Sequence, residues 1–292
     1  MISEQNCERE IIRFSLYPIH APDEFDFLPE EYSKFKYGAD NIARKFGYML
    51  ADGFIRNCFS KHYDGSRIVV VPSAYSHIPT ASFFMKKYFV DKLNVYLFDN
   101  KYPVVEETKI HRTVTYREDY GEMSAQDRYR LIKGDKFYID REFIENKTLL
   151  FLDDIKITGT HERIIINMLK TGNITNKCYM LYFAELADSS IPPNIENRLN
   201  NFYVKDLEQI DNIVKNERFR FNTRVVKFIL NSRDDGFDRF IEKQNYDFIS
   251  ELYFNAIGNE YFKFPSYLRN LEKLRDITGL LQGCKINDFP FL

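Results

Sequence analysis

The sequence has no tryptophan and only four cysteines, Cys7, Cys58, Cys178 and Cys284. Their wide separation excludes a CxxC metal site and the dense disulfide framework of a small secreted domain, and it points to reduced thiols. Long apolar runs are missing too. No segment approaches the roughly 18 apolar residues that a membrane-spanning helix needs, and the opening stretch MISEQNCERE has no apolar centre of a secretion signal. A cytoplasmic protein without a membrane partner is therefore expected. Neither sign of charge is in excess, the formal net charge being -2, so bulk electrostatics gives no reason to expect nucleic acid as the main partner. No internal repeat or low-complexity tract is visible. No GxxxxGK[ST] loop is present and no GxGxxG follows a strand pattern, which removes the commonest nucleotide-binding signatures.

What is present is a chain with 44% hydrophobic and 29% charged residues, the balance of a globular protein able to bury a sizeable core. In GADNIARKFGYMLADGFIRNCF, Ile42, Phe46, Met49, Leu50 and Phe54 recur at three- and four-residue spacings and predict a helix. RIVVVPS, TLLFLDD and KCYMLYFAEL are dense apolar runs of the kind found in strands buried on both faces. PTASFFMKKYFVDKL and GTHERIIINMLKTG read as helices, the second stopping at Gly172. NVYLFD reads as a further short strand, and NFYVKD as a weak one that closes the core. Strands alternating with helices predict a parallel α/β sheet with right-handed crossovers. Past residue 206 the strand patterns disappear. DLEQIDNIVKN, TRVVKFILNS, YDFISELYFNAIGN and PSYLRNLEKLRDITGLL predict helices, with Ile249, Leu252, Tyr253 and Ala256 as a core-facing stripe. The expected organisation is an α/β domain over 1–205 and a helical region over 206–292.

The stretch TLLFLDDIKITGTHERIIINML carries the chemistry. Its strand ends at Asp153 and Asp154, and ligands in open α/β sheets sit beyond such carboxyl ends. Thr158, Gly159 and Thr160 follow and lead into a helix, whose free amides and dipole can receive an anion. Two carboxylates beside a phosphate cradle would repel the phosphate unless they bind sugar hydroxyls or a metal that the ligand brings. A ribose 5-phosphate satisfies both halves. The competing structural reading makes Asp153 a turn residue, leaves Asp154 in solvent, and reduces the threonines to a helix cap. A DxDxT phosphotransferase pattern fails, because Ile155 stands where its second aspartate belongs.

This run of apolar strand, Asp-Asp, mixed residues, Thr-Gly and helix resembles the phosphoribosyl-pyrophosphate (PRPP) motif of type I phosphoribosyltransferases. The resemblance implies the fold of that family: a parallel sheet flanked by helices, a flexible hood at about 101–140, and here a helical C-terminal region. It implies that Asp153 and Asp154 hold the ribose hydroxyls and that Ile157, Thr158, Gly159, Thr160 and His161 wrap the 5-phosphate. Many members carry Thr or Ser where this chain has His161. The 6-oxopurine branch carries an aspartate base where this chain has Ile157, which argues against hypoxanthine or guanine as acceptor.

The resemblance also implies a pyrophosphate loop after the first core strand. Ser73, Ala74, Tyr75 and Ser76 stand there, without the glycine and the basic residue common in the family; an ordinary strand–helix loop is the competing reading. The hood interval KIHRTVTYREDYGEMSAQDRYRLIKGDKF offers Arg112, Arg117, Arg128, Arg130 and Lys133 as pyrophosphate contacts, with Arg112 and Arg117 as candidate catalytic cations, and it is similar to the ComF-like branch. Interspersed Glu118, Asp119, Glu122 and Asp127 allow a solvated, ion-paired surface instead. ComF-like members with helical additions occur in bacterial stress-response operons. The implied activity is Mg2+-dependent phosphoribosyl transfer from PRPP to a nitrogen acceptor with release of pyrophosphate. Any Mg2+ is expected to come through PRPP, with Asp153 or Asp154 as its protein ligand. A homodimer is compatible with the resemblance. The rival is a PRPP- or nucleotide-sensing regulator that keeps the site and lacks the chemistry.

Overall fold

The computed structural model describes residues 10–112, 137–188 and 190–279. Strands β1 (Ile11–Ile19), β2 (Ile68–Pro72), β3 (Glu106–Glu107), β6 (Thr148–Lys156) and β7 (Cys178–Leu186) form one sheet in the order β1-β7-β6-β2-β3, and every pairing in it is parallel. A separate antiparallel ribbon pairs β4 (His111–Arg112) with β5 (Phe137–Tyr138). The chain is thus a parallel sheet flanked by helices, as the apolar runs predict. The expected strands at RIVVVPS, TLLFLDD and KCYMLYFAEL are β2, β6 and β7.

Alternation along these strands divides the interior into two layers. Ile68, Val70, Leu150, Leu152, Tyr179, Leu181 and Phe183 face one layer, while Val69, Val71, Leu149, Phe151, Cys178, Met180 and Tyr182 face the other. The first layer is roofed by α1 (Pro29–Lys36), by α2 (Asp40–Phe54) and by α4 (Ala81–Asp99). Helix α2 runs through a π turn, Ile55–Phe59, into the short α3 (Ser60–His62). Phe46 of α2 stacks on Phe183 of β7 with ring centroids 4.1 Å apart, a fully buried contact of the kind whose truncation to alanine costs about 3–5 kcal/mol. The second layer is covered by α5 (Arg141–Ile144) and α6 (Thr160–Thr171).

The C-terminal helices are α7 (Ile195–Asn200), α8 (Leu207–Asn216), α9 (Thr223–Leu230), α10 (Asp234–Ile241), α11 (Tyr246–Gly258) and α12 (Pro265–Thr278). Their buried Ile210, Val226, Phe237, Leu252 and Leu274 join the same apolar cluster as α2 and α4. Side-chain caps mark the starts of α9 and α11: Asn222 accepts from the amides of Arg224 and Val225, and Asn245 from that of Phe248.

Three elements differ from the sequence reading. NVYLFD is the last part of α4, because Phe89, Leu93 and Leu97 continue the helical stripe of Met85 while Val95 and Phe98 face solvent. NFYVKD forms no strand; it is a turn between α7 and α8, with Phe202 exposed. The strand at the sheet edge is instead β1, whose Ile12, Phe14 and Leu16 alternate toward the first layer.

Candidate functional site

The chain passes from β2 to β3 on one side of β2 and returns to β6 on its other side. The sheet therefore has its switch point between β2 and β6, where a crevice opens at the carboxyl ends. Pro72 and Leu152 are register partners there, and Ser73 and Asp153 come next. A small cavity of about 10 Å3, room for a single water, is lined among others by Pro72, Ser73, Asp153, His161, Ile165 and Tyr182.

Asp153 and Asp154 are adjacent on a strand, so their side chains leave opposite faces of the sheet. Asp153 follows Phe151 toward the second layer and meets His161, whose Nδ1 lies 2.8 Å from Oδ2; its Oδ1 accepts the Asp154 amide at 3.0 Å. Burial alone would raise the Asp153 carboxyl, but the hydrogen bond and charge of His161, with the Lys36 ammonium beyond, hold it well below the usual carboxylate range. Asp154 follows Leu152 toward the first layer and is only 6% exposed. Its Oδ2 accepts a hydrogen bond from Tyr32 Oη at 2.6 Å and is ion-paired with Lys36. Burial raises the Asp154 carboxyl and the neighbouring Asp153 charge adds to that, while Lys36 and Tyr32 hold it partly back. The same Asp154 raises the Tyr32 phenol, on top of complete burial.

The turn Ile157–Gly159 enters α6 through Gly159, which sits at φ +65 and ψ 13 in the left-handed region and caps the helix without a side chain. Helix geometry leaves the amides of Thr160, His161 and Glu162 without intrahelical partners, so they face outward at the positive end of the dipole. The two threonine hydroxyls bond each other at 2.9 Å, and Arg163 donates to Thr160 Oγ1 at 3.0 Å. Behind the turn, Lys156 pairs with Glu162 at 3.0 Å and Glu185 at 2.7 Å; Glu162 also accepts from Arg13 and from Tyr182.

Of the residues singled out in the sequence, Ser73, Asp153 and His161 converge on the cavity, and Ile157, Thr158, Gly159 and Thr160 form the turn beside it. Asp154 instead faces α1. Ala74 and Tyr75 are half-buried and Ser76 is exposed on the neighbouring loop. Arg112 stands on β4, opposite Phe137; Arg117, Arg128, Arg130 and Lys133 lie outside the described residues. Sequence reading missed Tyr32 and Lys36, which sit 122 and 118 residues from Asp154 with nothing but their helical spacing to mark them. It also missed Arg163, which one helical turn brings under Thr160, and Lys109, whose Nζ lies 5.5 Å from the centre of the Tyr75 ring.

The chain belongs to the ComF-like phosphoribosyltransferase (PRTase) family, whose model matches residues 11–274. Phosphoribosyl transfer is the general chemistry that this membership supports. A hypoxanthine phosphoribosyltransferase from Staphylococcus aureus is similar at 16% identity over 57% of this chain and 78% of its own, with a TM-score of 0.30. The L. donovani hypoxanthine-guanine phosphoribosyl transferase is similar at 16% identity over 51% and 70%, with a TM-score of 0.29. No curated protein matches the chain.

Proposed function

We propose that this protein is a phosphoribosyltransferase that takes PRPP, with Asp153 gripping the ribose hydroxyls and the Ile157–His161 turn receiving the 5-phosphate. One observation carries the reading: Asp153, Ser73 and His161 meet at the sheet's switch point, beside a left-handed glycine turn that opens a helix. Asp154 supports the site from below, since its carboxylate is taken by Tyr32 and Lys36. Arg163 at the turn supplies a cation for the 5-phosphate, and Lys109 beside Tyr75 supplies one for the pyrophosphate on the Ser73–Ser76 loop. In the reaction the bond from ribose C1 to the pyrophosphate oxygen breaks, and a nitrogen acceptor forms the new bond to C1 with loss of its proton. Catalysis then rests on orientation and on stabilising the charge of the departing pyrophosphate.

The donor set fits a Mg2+ that arrives with the substrate. Among the described residues no group of three His, Cys, Asp or Glu side chains could hold a metal, and Mg2+ commonly keeps several waters and binds through substrate phosphates plus one or two carboxylates. Of Asp153 and Asp154, we assign that role to Asp153, because Asp154 is already paired with Lys36. When bound, Mg2+ would neutralise pyrophosphate charge.

A second reading is a PRPP- or nucleotide-sensing regulator, of the sort a bacterial stress-response system would use. It is favoured by the pyrophosphate loop, which has neither glycine nor a basic residue of its own, and by the prior engagement of both Asp153 oxygens. The test is pyrophosphate release from PRPP with Mg2+ across a panel of bases and amines, beside calorimetric PRPP binding. Turnover with any acceptor supports the transferase; tight binding without turnover supports the regulator; absence of binding rejects both.

A further inference from the structure

The loop that leaves β2 beside the cavity is held from behind by the C-terminal helices. Asn259, just past α11, is 3% exposed. Its Oδ1 accepts hydrogen bonds from two successive loop amides, His77 at 2.9 Å and Ile78 at 3.0 Å, while its Nδ2 donates to Tyr261 Oη at 3.0 Å. The next residues of the loop are tied by Thr223 at the start of α9. Its hydroxyl reaches the carbonyl oxygens of Ile78 and Pro79 at 2.9 and 3.1 Å, and its amide donates to Pro79 O at 2.9 Å. Gly258 completes the fit: a Cβ there would come within 2.4 Å of the His77 ring.

Two adjacent amides on one oxygen fix two peptide planes in succession. Residues Ser73–Ser76 are then a short span between β2 and an anchored point, not a free loop. This matters because the span has no lysine or arginine of its own. Apart from Lys109 beside Tyr75, an anion bound there depends on amides that already point the right way, and a loop ordered beforehand avoids the ordering cost of binding.

We propose that Asn259 is a positioning residue for the pyrophosphate group, acting on the ligand only through the shape it imposes on the Ser73–Ser76 span. The C-terminal helices thereby become part of the substrate-binding unit. The inference rests on the phosphoribosyltransferase reading and adds a residue of the helical region to it.

The experiment is calorimetric binding of two separate probes, inorganic pyrophosphate with Mg2+ and ribose 5-phosphate, to the full chain. Asn259→Ala weakens pyrophosphate binding by about tenfold or more, equivalent to about 1.4 kcal/mol, and leaves ribose 5-phosphate binding unchanged. Asn259→Asp, which keeps a carboxyl oxygen to accept the His77 and Ile78 amides, restores most of the pyrophosphate affinity. Should Asn259→Ala not fold, judged by circular dichroism, Thr223→Val takes its place and produces a smaller loss of the same selectivity. Equal loss for both probes, or no loss for either, overturns the proposal. Wild-type protein that binds ribose 5-phosphate but not pyrophosphate overturns this inference and spares the turn's assignment; wild-type protein that binds neither overturns the underlying function as well.

Discussion

His161 Nδ1 stands 2.8 Å from Asp153 Oδ2 across the mouth of the cavity. In the proposed reading the imidazole occupies the oxygen that a ribose hydroxyl would need, so sugar binding would exchange one donor for another. Replacing Asp153 with asparagine removes a charged acceptor whose hydrogen bonds are worth about 1.5–3 kcal/mol. Asp153→Asn is therefore expected to weaken PRPP binding by about 10- to 100-fold and, because the fold holds this carboxyl well below its usual range, to lower the melting temperature at neutral pH as well. Calorimetry together with thermal unfolding checks both halves, and an Asp153→Asn protein with undiminished affinity removes Asp153 from the site.

Asp154 behaves in the opposite way. Removing one partner of a buried ion pair leaves the other uncompensated, at a cost of about 3–5 kcal/mol. Lys36→Met is expected to lower stability by that order in urea unfolding. The double variant Lys36→Met/Asp154→Leu, which removes both charges, recovers a large part of the loss. If Lys36→Met is as stable as wild type, the pair contributes nothing to the fold.

Gly159 isolates backbone from packing. A Cβ there would meet only the Lys156 side chain at an ordinary 3.5 Å, so the cost of a substitution is conformational. Gly159→Ala is expected to destabilise by about 1–2 kcal/mol, whereas Gly159→Asn, which tolerates the left-handed region, costs less. Unfolding curves of the two variants give the comparison, and equal losses would mean that packing decides.

Glu162 supplies a pH dependence. Burial alone would raise its carboxyl, but hydrogen bonds from Arg13, Lys156 and Tyr182 outweigh burial and hold it below the ordinary glutamate value of 4.5. A carboxyl lower in the folded than in the unfolded state contributes stability in full above that ordinary value, and the contribution is lost as pH falls through the depressed one. Glu162→Gln is expected to flatten the fall of melting temperature below about pH 5. An unchanged slope would leave the acid limb to other carboxylates.

Much of the fold is legible in the sequence because apolar density states burial directly: Val69 to Val71, Leu149 to Leu152 and Tyr179 to Ala184 are all buried. The errors come where local pattern and tertiary context disagree. Asn94 to Asp99 is apolar enough for a strand, yet the helical stripe from Met85 to Leu97 runs through it. β1 is not marked in the sequence, because its edge position leaves it half-buried and Arg13 and Ser15 dilute its alternation. In the site, the strand, turn and helix around Asp153 were readable from residue order. The hold of Tyr32 and Lys36 on Asp154, and of Asn259 on the loop, was not, since those contacts exist only once distant helices pack.

Facing opposite sides of the sheet makes the paired aspartates sensitive to register. The two letters are chemically identical, yet one looks into a crevice and the other into aromatic packing under a helix. A slip of β6 by a single position would exchange their jobs without altering the motif. The doublet alone therefore does not say which of its carboxylates faces the crevice; the register of β6 does.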